Sequence, residues 1–265
     1  MNSKILNSFF IFCLIVVIGV MSWRDMHPKV ATDTSSSLGM LAYYAGDGIT
    51  PEMIPDEGGV RLSVTVGVGE FSYTLDDKAV WTPHGMLPAT IAQRQVNLQF
   101  HFKDLPKNPD ETIKKIKAVT EDWVHKGDLV TTLILDYSPV NADFKDYTAL
   151  LKAAHEAFKK SYVIYAGINV LWADGPQKDM LKELQDESPQ FLVHLPQVHI
   201  SQELLSKLAA LKYNVILQYP AGTQMGDIDR ADLKKLNSLA GVTLTLDAHK
   251  PLPKKEENIG LFPKL

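Results

Sequence analysis

The chain has 265 residues, 45% of them hydrophobic and 22% charged, with a formal net charge of -4 and one cysteine. These are globular proportions, which exclude a disordered, collagen-like or coiled-coil chain, and a single Cys excludes a disulfide scaffold. The weak acidity argues against a nucleic-acid partner, whose binding face is normally basic.

The opening residues read as an export signal. Lys4 is followed by no charged residue until Arg24, and Phe9 to Met21 is an unbroken apolar run. That length suits the h-region of a signal peptide. The longer uncharged stretch, Ile5 to Trp23, suits an uncleaved anchor, and both readings stay open for residues 1–23. Cys13 lies inside this run behind Ile11 and Phe12, not behind the small residues of a lipoprotein site. The exported part therefore has no thiol for catalysis or metal binding. Residues 24–38 are polar and Ser/Thr-rich and read as a linker to a periplasmic or otherwise extracytoplasmic domain.

From residue 39 strands and helices alternate. A strand is expected near 39–44 and another at 60–68, where Val60, Leu62, Val64, Val66 and Val68 alternate with polar residues. Only a weak helix fits between 74 and 94. VNLQFHF (96–102) is a strand, and Asn108-Pro109-Asp110-Glu111 caps a helix that Gly127 ends. LVTTLILDY (129–137) is a strand, and Phe144, Tyr147, Leu151, Ala154 and Phe158 follow at helical spacing. Strands at 162–170, 191–195, 214–219 and 242–247 complete the series, with helices opening near Pro176 and Ser201 and around Leu233. Residues 251–265 form a Pro- and Lys-rich tail.

Apolar strands alternating with amphipathic helices imply a parallel sheet covered on both faces. The expected fold is an α/β, TIM-like (β/α)8 barrel over residues 39–250, irregular in its first two units. A doubly wound open sheet is the alternative, but it lacks here its Gly-rich phosphate turn.

In a barrel, chemistry collects where the strands end. Those ends carry Glu70, His101, Asp136, Tyr137, Asp143, Trp172, Asp174, Gln218, Tyr219 and Asp247. Carboxylates, amides and flat rings are what a sugar ligand requires. Asp136 is the sharpest feature, because a lone carboxylate ending an apolar strand is costly to bury without partners; its structural alternative is a cap for the next helix. Glu70, after a Gly-rich turn, reads equally as a solvated loop acid. His194 reads as a core histidine, and His199 and His249 as surface residues. No metal or other cofactor is expected: His194 and His199 lack the helical i, i+4 spacing of a zinc hydrolase, and no Gly-x-Ser-x-Gly marks a serine nucleophile.

The segment LILDYSPVNADFKDYTALLKAAHEAF (133–158) resembles a bacterial family of exported, barrel-like proteins of unknown function that is distantly similar to chitinase-type glycoside hydrolases. The likeness rests on Leu135-Asp136-Tyr137 with Tyr147 and Leu151 beyond, on Gly69-Glu70, and on YNVILQYPAG (213–222). It implies a carbohydrate partner, with Asp136 as stabiliser or base and Glu70 as general acid. Tyr137, Trp172 and Tyr219 would stack the sugar, and Asp143, Asp174, Gln218 and Asp247 would bind it. Ser138 stands where the family pattern places a second acid. Either Glu70 or Asp143 substitutes for that acid, or the protein binds glycans, or serves envelope assembly, without cleaving them.

Overall fold

The computed structural model describes residues 40–55, 63–85, 95–139, 144–173, 180–187, 190–210, 214–229, 233, 236 and 239–250. The apolar run at 9–21, the linker, the tail, Asp143 and Asp174 lie outside the described residues. Among the described residues no helix is long and apolar enough to cross a membrane.

The strands are β1 (Met40–Ala45), β2 (Ser63–Tyr73), β3 (Ala79–Pro83), β4 (Gln95–Phe102), β5 (Leu129–Asp136), β6 (Val163–Asn169), β7 (Gln190–His194), β8 (Asn214–Tyr219) and β9 (Leu239–Leu246). Four α-helices are described: α1 (Asp110–His125), α2 (Phe144–Phe158), α3 (Met180–Glu187) and α4 (Gln202–Ala210). The sheet runs β1-β9-β8-β7-β6-β5-β4-β2, every pair parallel, and β1 also pairs with β2. That last pairing closes an eight-stranded barrel and excludes the open doubly wound sheet. The fold is therefore a (β/α)8 barrel.

Within 74–94, where a weak helix was the best fit, the described residues contain β3, which pairs antiparallel with the far half of β2. Tyr73, Val80 and Trp81 are residue types that favour a strand, and Asp77 takes the positive φ of the tight turn between the two strands (59°). β2 is accordingly longer than the expected strand, because it serves both the barrel and this hairpin.

Alternation along each strand sorts the side chains. On β4, Val96, Leu98 and Phe100 face outward into the layer beneath the helices, while Asn97, Gln99 and His101 face inward. On β5 the outward residues are Leu133 and Leu135, and the inward ones Ile134 and Asp136. The interior thus splits. Ile134, Tyr165 and Leu192 form a separate apolar cluster inside the barrel. Thr65, Asn97 and Thr131 are joined there by hydrogen bonds.

The helices are placed by local chemistry. Asn108 Oδ1 accepts from Asp110 N at 3.0 Å at the start of α1, and Ser201 Oγ accepts from Leu204 N at 3.1 Å at the start of α4. Both caps satisfy amides that a helix leaves without backbone partners. Leu98 is fully buried and Leu75 fully exposed. Leu98→Ala should therefore cost about 2–5 kcal/mol, and Leu75→Ala should stay within about 0.5 kcal/mol of wild type. Urea-unfolding midpoints measure both; equal midpoints would remove Leu98 from the core layer.

Candidate functional site

The site is built at the C-terminal ends of the strands around one carboxylate. Asp136 is the last residue of β5 and points inward. Its side chain is 5% exposed, yet both oxygens are occupied. Oδ2 accepts from Gln99 Nε2 at 2.8 Å and from His101 Nδ1 at 2.9 Å, and Oδ1 accepts from His194 Nε2 at 2.9 Å. Burial by itself would raise the acid's pKa. The His194 charge and the hydrogen bonds from both histidines outweigh it, and Asp136 is held well below the ordinary carboxylate range. Conversely, burial would lower the pKa of His194, but the Asp136 charge and hydrogen bond raise it.

Room for this cluster comes from two glycines. A Cβ at Gly167, the residue paired with Asp136 across β5 and β6, would overlap Asp136 Oδ1. A Cβ at Gly67 would overlap the hydroxyl of Tyr44. Tyr147 of α2 ties the two strands at this level, its hydroxyl lying 2.6 Å from the Leu135 carbonyl and 2.9 Å from that of Gly167.

Above the carboxylate lies an open cleft of about 440 Å³, lined by Glu70, His84, His101, Phe102, Lys103, Asp136, Ser138 and Pro139. Glu70 reaches it through a β-bulge. Gly67 pairs with Gln99, but Gly69 pairs with Phe100 and Glu70 with His101. The extra residue shifts the alternation by one, so Glu70 shares the inner face with His101. His84 stacks on His101, with ring centroids 5.7 Å apart. Its Nδ1 is 3.8 Å from Asp47 Oδ1, and the same oxygen accepts the Gly85 amide. On the other wall Asn169 Nδ2 donates to the Ser138 carbonyl at 3.0 Å, and Trp172 Nε1 to that of Pro139 at 2.8 Å.

Of the residues expected here, the structure brings Asp136 and Glu70 into one cleft. Asp136 is not a helix cap. Tyr137 is half-buried beside Tyr147, their rings 5.5 Å apart. Trp172 and Tyr219 are corrections. Both are completely buried, and Trp172 packs edge-on against Phe144 and Tyr147 in the layer between strands and helices, so neither offers a face to a sugar. Gln218 faces inward, in register with His194, and its Nε2 donates to Thr245 Oγ1. Asp247 accepts from the His249 amide and shapes a turn.

Two of the donors to Asp136 had no role in the sequence reading, His101 standing there only as a strand-end residue and His194 as a core histidine. Each stands at an inward position at a strand end, His194 two residues beyond inward Leu192 and His101 two beyond inward Gln99. Period-two alternation carried to the last residues of each strand puts both on the inner face, though not beside Asp136. Among the described residues no group of His, Cys, Asp and Glu is placed to hold a metal ion.

No protein-family description matches this chain, and no curated protein matches it. Among solved structures it is similar to the YdjI aldolase from Escherichia coli K12, at 14% identity over 82% of this chain and 79% of that one, with a TM-score of 0.45. A likeness that distant carries no argument about activity, and the barrel assignment rests on the strand pairing.

Two predictions follow from the cluster's geometry and charge. Gly167→Ala should displace the Asp136 carboxylate and destabilise the fold, whereas alanine at exposed Gly127, where no atom lies within 4 Å, should cost only the strain of its positive φ; thermal unfolding of the two variants compares them. The second concerns pH. The raised pKa of His194 gives stability that is complete below about pH 6.5 and lost as pH rises through the folded value. The lowered pKa of Asp136 gives stability present above about pH 4 and lost as pH falls through its folded value. Between those limits the pair contributes fully. His194→Gln should flatten the decline above pH 6.5, and an unchanged slope would mean that the imidazole is not paired with Asp136.

Proposed function

We propose that the cleft is a site for general acid–base chemistry on a polyhydroxylated ligand, a glycan of the cell envelope or its surroundings. The observation that carries this reading is a buried, ionised carboxylate holding two partly buried imidazoles at a barrel mouth that also presents Glu70. A carboxylate held that far down is a poor proton donor. Its role is that of a fixed anion that orients both rings and stabilises the imidazolium formed when one takes a proton. Proton transfer then falls to the histidines, with Glu70 as the second acid.

Glu70 and Asp136 stand two strand spacings apart along the wall, about 9–10 Å at the backbone. Both carboxylates line the same cleft, which supports hydrolysis within this reading. Export, and tethering through the apolar run at 9–21, belong to the same proposal and rest on the sequence. Ser138, where the resembling family has an acid, favours a second reading in which the barrel binds glycan without cleaving it.

Asp136→Asn keeps the shape of the side chain and removes the charge. In a polysaccharide-digestion screen with the full chain it should lower turnover by about 10²–10⁴-fold. Digestion at the wild-type rate would reject the assigned role. Binding of a glycan without digestion by the wild type would select the second reading.

A further inference from the structure

His101 does not present a free nitrogen to the cleft. Its Nδ1 is spent on Asp136, and its Nε2 lies 3.0 Å from the hydroxyl of Tyr44, the penultimate residue of β1. The hydrogen positions follow from the partners. An ionised carboxylate only accepts, so Nδ1 carries a hydrogen, and in the neutral ring Nε2 is then an acceptor. Tyr44 donates to it.

Burial, reinforced by the negative charges of Asp136 and Asp47, raises the phenol pKa. The hydroxyl therefore keeps its proton at rest. Gly67 leaves the space in which that hydroxyl sits, and a Cβ there would also come within 3.4 Å of His101 Nε2. Tyr44 is partly buried, and its ring lies edge-on to that of cleft-lining His101, the centroids 6.2 Å apart.

We infer that Tyr44, not His101, is the group that meets the reacting O–H of the ligand, and that it passes the proton on to His101. This rests on the acid–base reading of the cleft and adds a residue to it. In the step, an O–H of water or of a sugar hydroxyl gives its proton to Tyr44 Oη as the Tyr44 proton moves to His101 Nε2. One O–H bond breaks at the ligand, one forms at Tyr44, and the ring becomes an imidazolium paired with Asp136. When a leaving oxygen departs, the proton returns by the same route, so the site ends unchanged and no redox partner is required.

The inference can be tested without knowing the natural ligand. Methanesulfonyl fluoride modifies a phenol when a neighbouring base takes its proton: an S–O bond forms, the S–F bond breaks and fluoride leaves. Peptide mass spectrometry on the full chain should find Tyr44 modified about tenfold faster than any other tyrosine. His101→Gln should reduce Tyr44 to the rate of the other tyrosines, with circular dichroism confirming that the variant is folded. In Tyr44→Phe, the freed His101 Nε2 should become the faster target of diethyl pyrocarbonate. If Tyr44 reacts equally fast with and without His101, or if His101 is acylated equally fast with and without the Tyr44 hydroxyl, the relay is overturned. A polysaccharide screen that finds no digestion while Tyr44 labels as expected would reject the hydrolytic reading and leave the relay standing.

Discussion

Everything at the mouth of this barrel depends on keeping Asp136 ionised where little water reaches it. An isolated carboxylate at that depth would neutralise itself, because desolvation penalises the charge. Three donors from two neighbouring structural directions prevent this: Gln99 and His101 from β4, and His194 from β7. Each is held by the barrel wall, so the favourable geometry does not have to be organised at the moment of use. Removing a donor would leave a buried charge without compensation, which is why such clusters tolerate change poorly.

The same constraint dictates the smaller features around it. Gly167 has no side chain because the carboxylate occupies that volume, and Gly67 has none because the Tyr44 hydroxyl does. Tyr147 ties the two strands flanking the carboxylate through their carbonyls. The bulge in β2 turns Glu70 toward the cleft that a regular strand would have denied it. Packing, backbone irregularity and charge placement thus converge on one spot, at the strand ends where barrels hold their functional groups.

The interior also shows a division of labour. The apolar cluster of Ile134, Tyr165 and Leu192 fills the barrel on the side of β5 to β7. On the other side polar residues link neighbouring strands, Asn97 donating to Thr65 between β4 and β2 and Gln218 to Thr245 between β8 and β9. Rigidity from this filling supports the proposed chemistry, since a proton relay of hydrogen bonds near 3 Å works only if its members stay in register.

Much of the barrel was legible in the sequence. The alternation of apolar strands with amphipathic helices, the caps at Asn108 and Ser201, and the place of Asp136 at the end of an apolar strand all arise from local chemistry, which sequence spacing records directly. The hairpin at β2 and β3 was not legible, because its strand character comes from pairing with residues already used by the barrel. Nor were the partners of Asp136: His101 and His194 lie 35 and 58 positions away, and only closure of the wall, sealed by β1 against β2, turns them toward one point. Trp172 and Tyr219 looked like ligand platforms because their places at strand ends are known from sequence, while the face they point to is not. Sequence by itself determined which residues could carry charge and which had to be buried. The tertiary structure decided which of them meet, since strand register and barrel closure are long-range properties that no local pattern encodes.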